Sequence, residues 1–351
     1  MRKVLIRTDA SNSIGMGHIN RCVSLSLHLK AEGMDTLFVL NYESDIILEN
    51  YINSGLNIVM LCTCSLNEEA LFLVEHLSSK YSSIVFDFSH YQNMERIKDF
   101  VPYFELLNCS FNTFLIDGFN DTAIIKYINP EVDVVITPYI GAEDHSNRSK
   151  VYKHWVGPSY FIFSIEYTLE EWKRYVPSIA ENLLVTMGGS DPYEMTLVVL
   201  DALKLISLKI HCRIIIGSGF SVSLIEKIKN QCFSLPLCEI VEKPKNLVTH
   251  LKWADMAISA SGLTKYEMAL TGVPSLQMSF NKDLAKITAN QEKEGFYRDL
   301  GLYIERTSEE IVNEIEDLAK KSDYRENMIK KGQALFQKSG IKRFVKYVRD
   351  I

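Results

Sequence analysis

What most constrains this chain is the alternation of short, β-rich apolar runs with longer amphipathic ones. Lys3 to Arg7, Thr36 to Leu40, Ile84 to Phe88, Thr113 to Asp117 and Val134 to Thr137 read as strands, and Ile19 to Lys30 reads as a helix among them. Strands that alternate with helices form parallel βαβ units, so this half predicts an open α/β sheet. Gly157-Pro158, a cluster of aromatics and Pro177 break the rhythm between about Gly157 and Ile179, where a domain crossover is expected. The alternation restarts with Leu183 to Met187, Arg213 to Ile216, Glu239 to Val241, Met256 to Ala260 and Ser275 to Ser279. A chain of 351 residues, 47% of them hydrophobic, is long enough for two cores, since single cores stop growing at roughly 250–300 residues. The reading is α/β, with two Rossmann-like doubly wound domains.

The expected division is residues 1–160 for the N-terminal domain, 161–335 for the C-terminal domain and 336–351 for a closing helix. Ser308 to Asp350 is charged, has only Gly332 and Gly340 as turn residues, and reads as two or three amphipathic helices. The sequence shows no internal repeat and no low-complexity tract.

Charge and cysteine usage narrow the partners. The formal net charge is −6 and no cluster of Lys and Arg stands out, so neither nucleic acid nor an anionic membrane surface is an expected partner. Any phosphate the protein binds must be gripped locally. Seven cysteines are scattered through apolar stretches, and the close pair Cys62 and Cys64 has no matching second pair. That predicts reduced thiols in a cytoplasm rather than a zinc site or a disulfide framework. Met1 leads almost directly into Val4-Leu5-Ile6, and no apolar run approaches the roughly 18 residues that span a bilayer, so a soluble protein is expected.

Ligands of open α/β sheets bind at the carboxyl ends of the strands, which directs attention to the loops after them. The loop from Arg7 to Arg21 carries Gly15-Met16-Gly17-His18 and places a histidine at a helix N-terminus. Glycines there permit backbone conformations and close approach that a Cβ would block, and the free N–H groups can face an anion. The helix dipole disfavours an imidazolium, so a neutral His18 able to accept a proton, a general base, is one reading. The other is a tight strand-to-helix turn in which His18 caps or packs, because the loop lacks the third glycine of the dinucleotide fingerprint.

Met187-Gly188-Gly189-Ser190-Asp191-Pro192 opens the second domain in the same way. Its glycines expose N–H groups suited to a diphosphate, and Ser190 or Asp191 can cap the helix expected to begin near Pro192. An ordinary βα turn is the alternative. In Ser259 to Glu267, Ser261, Gly262 and Thr264 can bind phosphate oxygens and Glu267 can accept from ribose hydroxyls. Thr264 and Glu267 also have the spacing of a capping box, which is compatible with that role. Asn290-Gln291 offers side-chain amides for sugar hydroxyls or acetamido groups, or lies on an exposed helix face.

Together these loops resemble the PseG family, the nucleotide-sugar hydrolases of pseudaminic acid biosynthesis, and related proteins of spore-coat polysaccharide synthesis. The resemblance rests on Arg7-Thr8-Asp9-Ala10-Ser11 with Ile14-Gly15-Met16-Gly17-His18 and Arg21, on Met187 to Pro192, and on Ala260-Ser261-Gly262 with Glu267 and Asn290-Gln291. It implies a GT-B-like fold, two Rossmann-like domains facing across a cleft, with a C-terminal helix packing back on the first domain. It further implies hydrolysis of a UDP-linked 2,4-diacetamido-2,4,6-trideoxyhexose, with His18 catalytic and acting on the attacking water.

By the same resemblance Gly15, Gly17, Arg21, Tyr91, Asn290 and Gln291 contact substrate, and Gly188, Gly189, Ser190, Ser261, Gly262, Thr264 and Glu267 hold the nucleotide. No metal or cofactor is expected. The chain departs from the family's Asp-x-Tyr element with Asp87-Phe88-Ser89-His90-Tyr91, and from its Gly-Ser-Thr-x-Trp-Glu with Gly262 to Glu267. A glycosyltransferase of the same fold and a non-catalytic nucleotide-sugar-binding protein are the competing readings.

Overall fold

The computed structural model describes residues 3–9, 17–41, 55–61, 65–88, 97–118, 123–142, 152–336 and 339–351. The chain divides into two compact units, one made of Met1–Thr168 with Lys338–Ile351 and the other of Leu169–Gln337.

In the first unit seven strands, β1 (Lys3–Thr8), β2 (Asp35–Asn41), β3 (Ile58–Leu61), β4 (Ser83–Asp87), β5 (Asn112–Ile116), β6 (Val134–Thr137) and β7 (Lys153–Val156), pair in the order β3-β2-β1-β4-β5-β6-β7. Every pairing is parallel. In the central strands β1, β4, β5 and β6 nearly every residue is buried, and alternate ones serve opposite faces. Leu5, Ile84, Phe86 and Leu115 pack under α2 (Leu66–Leu77) and α3 (Phe100–Asn108). Val4, Ile6, Val85 and Phe114 pack with Cys22, Leu25 and Leu29 of α1 (Gly17–Ala31). Parallel strands covered on both faces are nearly continuous apolar runs for this reason.

The second unit holds β8 (Asn182–Thr186), β9 (His211–Ile216), β10 (Cys238–Glu242), β11 (Met256–Ala260), β12 (Ser275–Ser279) and β13 (Arg298–Leu302), in the order β10-β9-β8-β11-β12-β13. Numbered from its own first strand this is 3-2-1-4-5-6, the doubly wound order. After the short helix α4 (Ile165–Leu169), its helices are α5 (Met195–Leu203), α6 (Val222–Phe233), α7 (Val248–Trp253), α8 (Thr264–Thr271), α9 (Lys282–Glu292), α10 (Ser308–Lys320) and α11 (Ser322–Leu335). Arg325 is fully buried here and donates to the carbonyls of Leu318 (2.7 Å), Ala319 and Pro177. Its guanidinium thereby ties α10 to the segment that enters the unit.

The last helix, α12 (Ser339–Asp350), belongs to the first unit, where Ile341, Phe344, Val345 and Val348 join the cluster on the α1 face. Phe344 meets the Phe114 ring edge-on at 5.3 Å. Its apolar residues recur at helical spacing, which gives the helix one sticky face and a charged opposite face. No described helix is long and apolar enough to cross a membrane.

Candidate functional site

In each unit the strand order reverses beside the first strand, and open α/β sheets bind ligands at the carboxyl ends beside such a reversal. The residues singled out in the loops fall at these two places.

In the first unit the reversal lies between β1 and β4, whose last residues, Thr8 and Asp87, are ladder partners. Thr8 Oγ1 donates to the Asp87 carbonyl at 3.0 Å, which closes the two strand ends on each other. His18 stands in the first turn of α1 with its side chain about a quarter exposed, and its Nδ1 is 2.6 Å from Asp87 Oδ1, a carboxylate fully removed from solvent. Arg21, one turn further along α1, grips the same carboxylate with both arms of its fork: Nε reaches Oδ2 at 2.7 Å and Nη2 reaches Oδ1 at 2.7 Å. Its remaining arm donates to the Tyr139 hydroxyl just after β6.

Electrostatics decide the protonation state. Burial by itself pushes the Asp87 carboxyl up, but the Arg21 guanidinium and His18 beside it outweigh that and hold it at about 2. Asp87 is therefore an anion at neutral pH and only accepts hydrogen bonds. The proton between Asp87 and His18 therefore sits on Nδ1, and in the neutral imidazole the lone pair is then on Nε2.

Two neighbouring carboxyls have different environments. Glu69 is buried and accepts from Arg7 Nε at 2.7 Å and from the Tyr103 hydroxyl at 2.6 Å, while Arg7 Nη1 reaches Asp9 at 2.6 Å. This network fixes the end of β1 from the face opposite α1. Asp117, at the end of β5, accepts N–H groups of Gly118, Ile124 and Ile125 at 2.9, 2.7 and 3.1 Å. Burial still pushes its carboxyl up to about 7, and the three N–H groups only partly oppose it.

In the second unit the reversal lies between β8 and β11. Gly188 has φ +87°, a conformation that favours glycine, and a Cβ on Gly188, Gly189 or Gly262 would meet nothing within 4 Å among the described residues. These three positions are open on the side where a ligand would lie. Asp191 caps α5: its carboxylate accepts from Met195 N at 2.9 Å and Thr196 N at 2.8 Å. The helix starts at Met195 rather than near Pro192, because Glu194 takes a left-handed turn at φ 54° before it. Ser190 is exposed at the loop's edge.

Ser261 is buried and accepts from Ser279 Oγ at 3.1 Å, and Ser279 also lies 3.4 Å from Thr288 Oγ1. Thr264 is the first residue of α8 and Leu263 its N-cap, so Thr264 and Glu267 do not occupy the two positions of a capping box. Glu267 is half-buried in the first turns of that helix. On α9, Asn290 is exposed and Gln291 buried, so adjacent amides face opposite ways.

The structure thus gathers Gly17, His18 and Arg21 at one reversal, and Gly188, Gly189, Ser190, Ser261, Gly262, Thr264 and Glu267 around the other. Gly15, Tyr91 and His90 lie outside the described residues, as do Cys62 and Cys64. Arg21, expected among the sugar contacts, spends its donors on Asp87 and Tyr139. Sequence reading did not pair Asp87 or Tyr139 with the histidine.

It also passed over Gly217 and Gly219, which follow β9 directly. Gly219 N donates to Gly189 O at 2.8 Å, and a Cβ on Gly217 would lie 2.4 Å from that same oxygen. The signal was present: Gly217-Ser218-Gly219 follows a strand just as Gly188-Gly189 does. Among the described residues no group of three or more His, Cys, Asp or Glu is placed to hold a metal ion.

No protein-family model matches the chain. It is 24% identical over 356 aligned positions to the spore coat polysaccharide biosynthesis protein SpsG of Bacillus subtilis, covering 99% of this chain and 97% of that protein. It is 23% identical over 341 positions to an uncharacterized protein of Methanocaldococcus jannaschii, covering 90% of this chain and 66% of that longer protein. The chain thus spans slightly less than two thirds of the archaeal relative's length.

Among solved structures, MurG of Acinetobacter baumannii superposes with a TM-score of 0.69 at 12% identity, covering 100% of both chains. The UDP-GlcNAc 2-epimerase of Neisseria meningitidis, bound to UDP-GlcNAc, superposes with a TM-score of 0.61 at 13% identity over 99% of this chain and 100% of that one. The two parallel sheets with their helices are therefore the two-domain α/β architecture of GT-B glycosyltransferases.

Proposed function

We propose that this protein is an enzyme that hydrolyses a nucleotide-activated sugar, releasing nucleoside diphosphate and free sugar. The substrate class is a UDP-linked 2,4-diacetamido-2,4,6-trideoxyhexose, and the setting is synthesis of a nonulosonic acid or a related surface polysaccharide. The observation that carries this reading is the buried Asp87 carboxylate holding Nδ1 of a partly exposed His18 at 2.6 Å. With Nδ1 held by the carboxylate, Nε2 of this partly exposed imidazole is the atom left to accept a proton.

His18 Nε2 takes the proton of a water as it attacks the anomeric carbon. The imidazolium that forms would be disfavoured at a helix N-terminus, and the Asp87 anion compensates it. Arg21 keeps Asp87 ionised and oriented, so it is a positioning residue. Gly15, Gly17 and Tyr91 are assigned to the sugar side together with Asn290 and Gln291. In the second unit, Gly188, Gly189, Ser190, Ser261, Gly262 and Thr264 offer N–H and hydroxyl donors to the diphosphate, and Glu267 accepts from the ribose. The departing diphosphate gains charge in the transition state, which such preorganised donors stabilise. The spore-coat protein's similarity along nearly its whole length supports a polysaccharide setting.

A glycosyltransferase using the same donor is the second reading, since the solved structures that share this fold include the spinosyn rhamnosyltransferase SpnG. It differs only in whether a sugar hydroxyl replaces water at His18. Purified protein incubated with UDP-, GDP- and CMP-sugars, including diacetamido-trideoxy sugars, separates the two. Nucleotide release without any acceptor supports the hydrolase, release only with an acceptor makes it a transferase, and binding without turnover overturns both.

A further inference from the structure

Away from both reversals, the second unit brings two thiols into direct contact. Cys232 lies in the last turn of α6 and Cys238 opens β10, and their sulfurs are 2.9 Å apart. Five residues lie between them in sequence, the first of which, Phe233 at the end of α6, is 95% exposed. This connection is at the surface, within reach of small solutes. Cys232 is buried and Cys238 half-buried. A third cysteine, Cys212, is the ladder partner of Cys238 on β9, with its sulfur directed to the Ile210 carbonyl at 3.8 Å.

We propose that Cys232 and Cys238 form a reversible oxidation site, closing to a disulfide when the protein meets a hydroperoxide. The Cys232 thiolate attacks the peroxide O–O bond, becomes a sulfenic acid and releases water once the leaving oxygen is protonated. Cys238 sulfur then displaces the sulfenic oxygen as a second water, so two thiols and one peroxide give one disulfide and two waters. A dithiol reductant reverses the change.

The roles within the pair follow from their surroundings. The hydrogen bond from Cys238 lowers the Cys232 thiol, against the opposing effect of burial, and so favours its thiolate. The same contact, with burial, raises Cys238. Burial pushes Cys212 up to about 12 and keeps it a thiol, which is the unreactive form.

The pair is placed so that its chemistry is separate from the proposed reaction. Helix α6 begins after the Gly217–Gly219 loop at the carboxyl edge of the sheet and ends at Phe233. At 1.5 Å per residue, its length puts about 18 Å between that loop and the thiols.

The test is to expose the full chain to an equimolar amount of hydrogen peroxide, block remaining thiols, digest, and map disulfides by mass. The expected result is a loss of two hydrogens confined to a Cys232–Cys238 bridge, forming at least ten times faster than oxidation of the exposed Cys109 and undone by dithiothreitol. Cys212→Ser should keep the bridge, whereas Cys238→Ser should leave a sulfenic acid on Cys232 that a dimedone probe captures. Any other bridge, or oxidation of Cys232 and Cys238 no faster than of Cys109, overturns the proposal. The wild-type mapping decides the matter even if a variant folds poorly.

Discussion

At the scale of single residues the first site works through one charge, the Asp87 anion. Without it the Arg21 guanidinium would be buried unpaired and His18 could hold either tautomer. His18→Ala is expected to lower turnover about 10²- to 10⁴-fold with nucleotide affinity largely intact, read as a fall in kcat with little change in UDP affinity measured separately. Asp87→Asn is expected to cost a similar factor, because an amide can leave the proton on the wrong ring nitrogen. An unchanged kcat for either variant would remove the pair from the mechanism.

The same charge has a pH signature. Since the folded Asp87 titrates at about 2 instead of the ordinary 3.8, its stabilisation is fully present above about pH 4 and is lost as pH falls through about 2. Wild-type protein should lose about 2 kcal/mol more than Asp87→Asn across that window, since each decade of pKa is worth roughly 1.4 kcal/mol. Chemical denaturation at pH 4 and at the lowest pH that keeps the protein folded would read the difference.

At the scale of elements, the loop that presents open glycines in the second unit is propped by another loop. Gly217 lies so close to Gly189 O that any side chain forces the β8 and β9 loops apart. Gly217→Ala is therefore expected to cost roughly 1–3 kcal/mol as an overpacking change and to weaken UDP binding along with it. Gly262→Ala meets open space and should leave stability within about 0.5 kcal/mol while still interfering with a bound diphosphate. Thermal unfolding with and without UDP tells the two apart, and equal losses of stability would refute the distinction.

What was legible in the sequence also sorts by element. Strands covered on both faces, such as β1, β4 and β11, announced themselves as unbroken apolar runs. Two of the outer strands did not: Lys153-His154-Trp155-Val156 of β7 is exposed or half-buried throughout, and Arg298-Asp299-Leu300-Gly301-Leu302 of β13 mixes charges with a glycine. Edge strands need no apolar pattern, so periodicity has nothing to detect there. The loop of His18 was visible because glycines mark it. Its partnership with Asp87 was not, because it depends on β4 lying next to β1, a fact of strand order that local sequence does not carry.

At the scale of the molecule, the chain leaves its first unit, builds the second without interruption and returns to finish the first. The returning helix α12 buries Phe344, Val345 and Val348 against strands laid down more than two hundred residues earlier. A unit completed by such a distant segment should depend on it more than on most of its own surface. Phe344 is 3% exposed and packs edge-on against both Phe114 and Trp155, at 5.3 and 6.2 Å. Phe344→Ala should cost about 3–5 kcal/mol, the usual result of emptying an aromatic site in a core. Because each unit has its own sheet and core, the loss should be local. Amide exchange should quicken in β5 and β6 and stay unchanged in β8 and β11. Equal quickening in both sheets would mean that the units unfold as one block, and no quickening would mean that β5 and β6 do not rely on the closing helix.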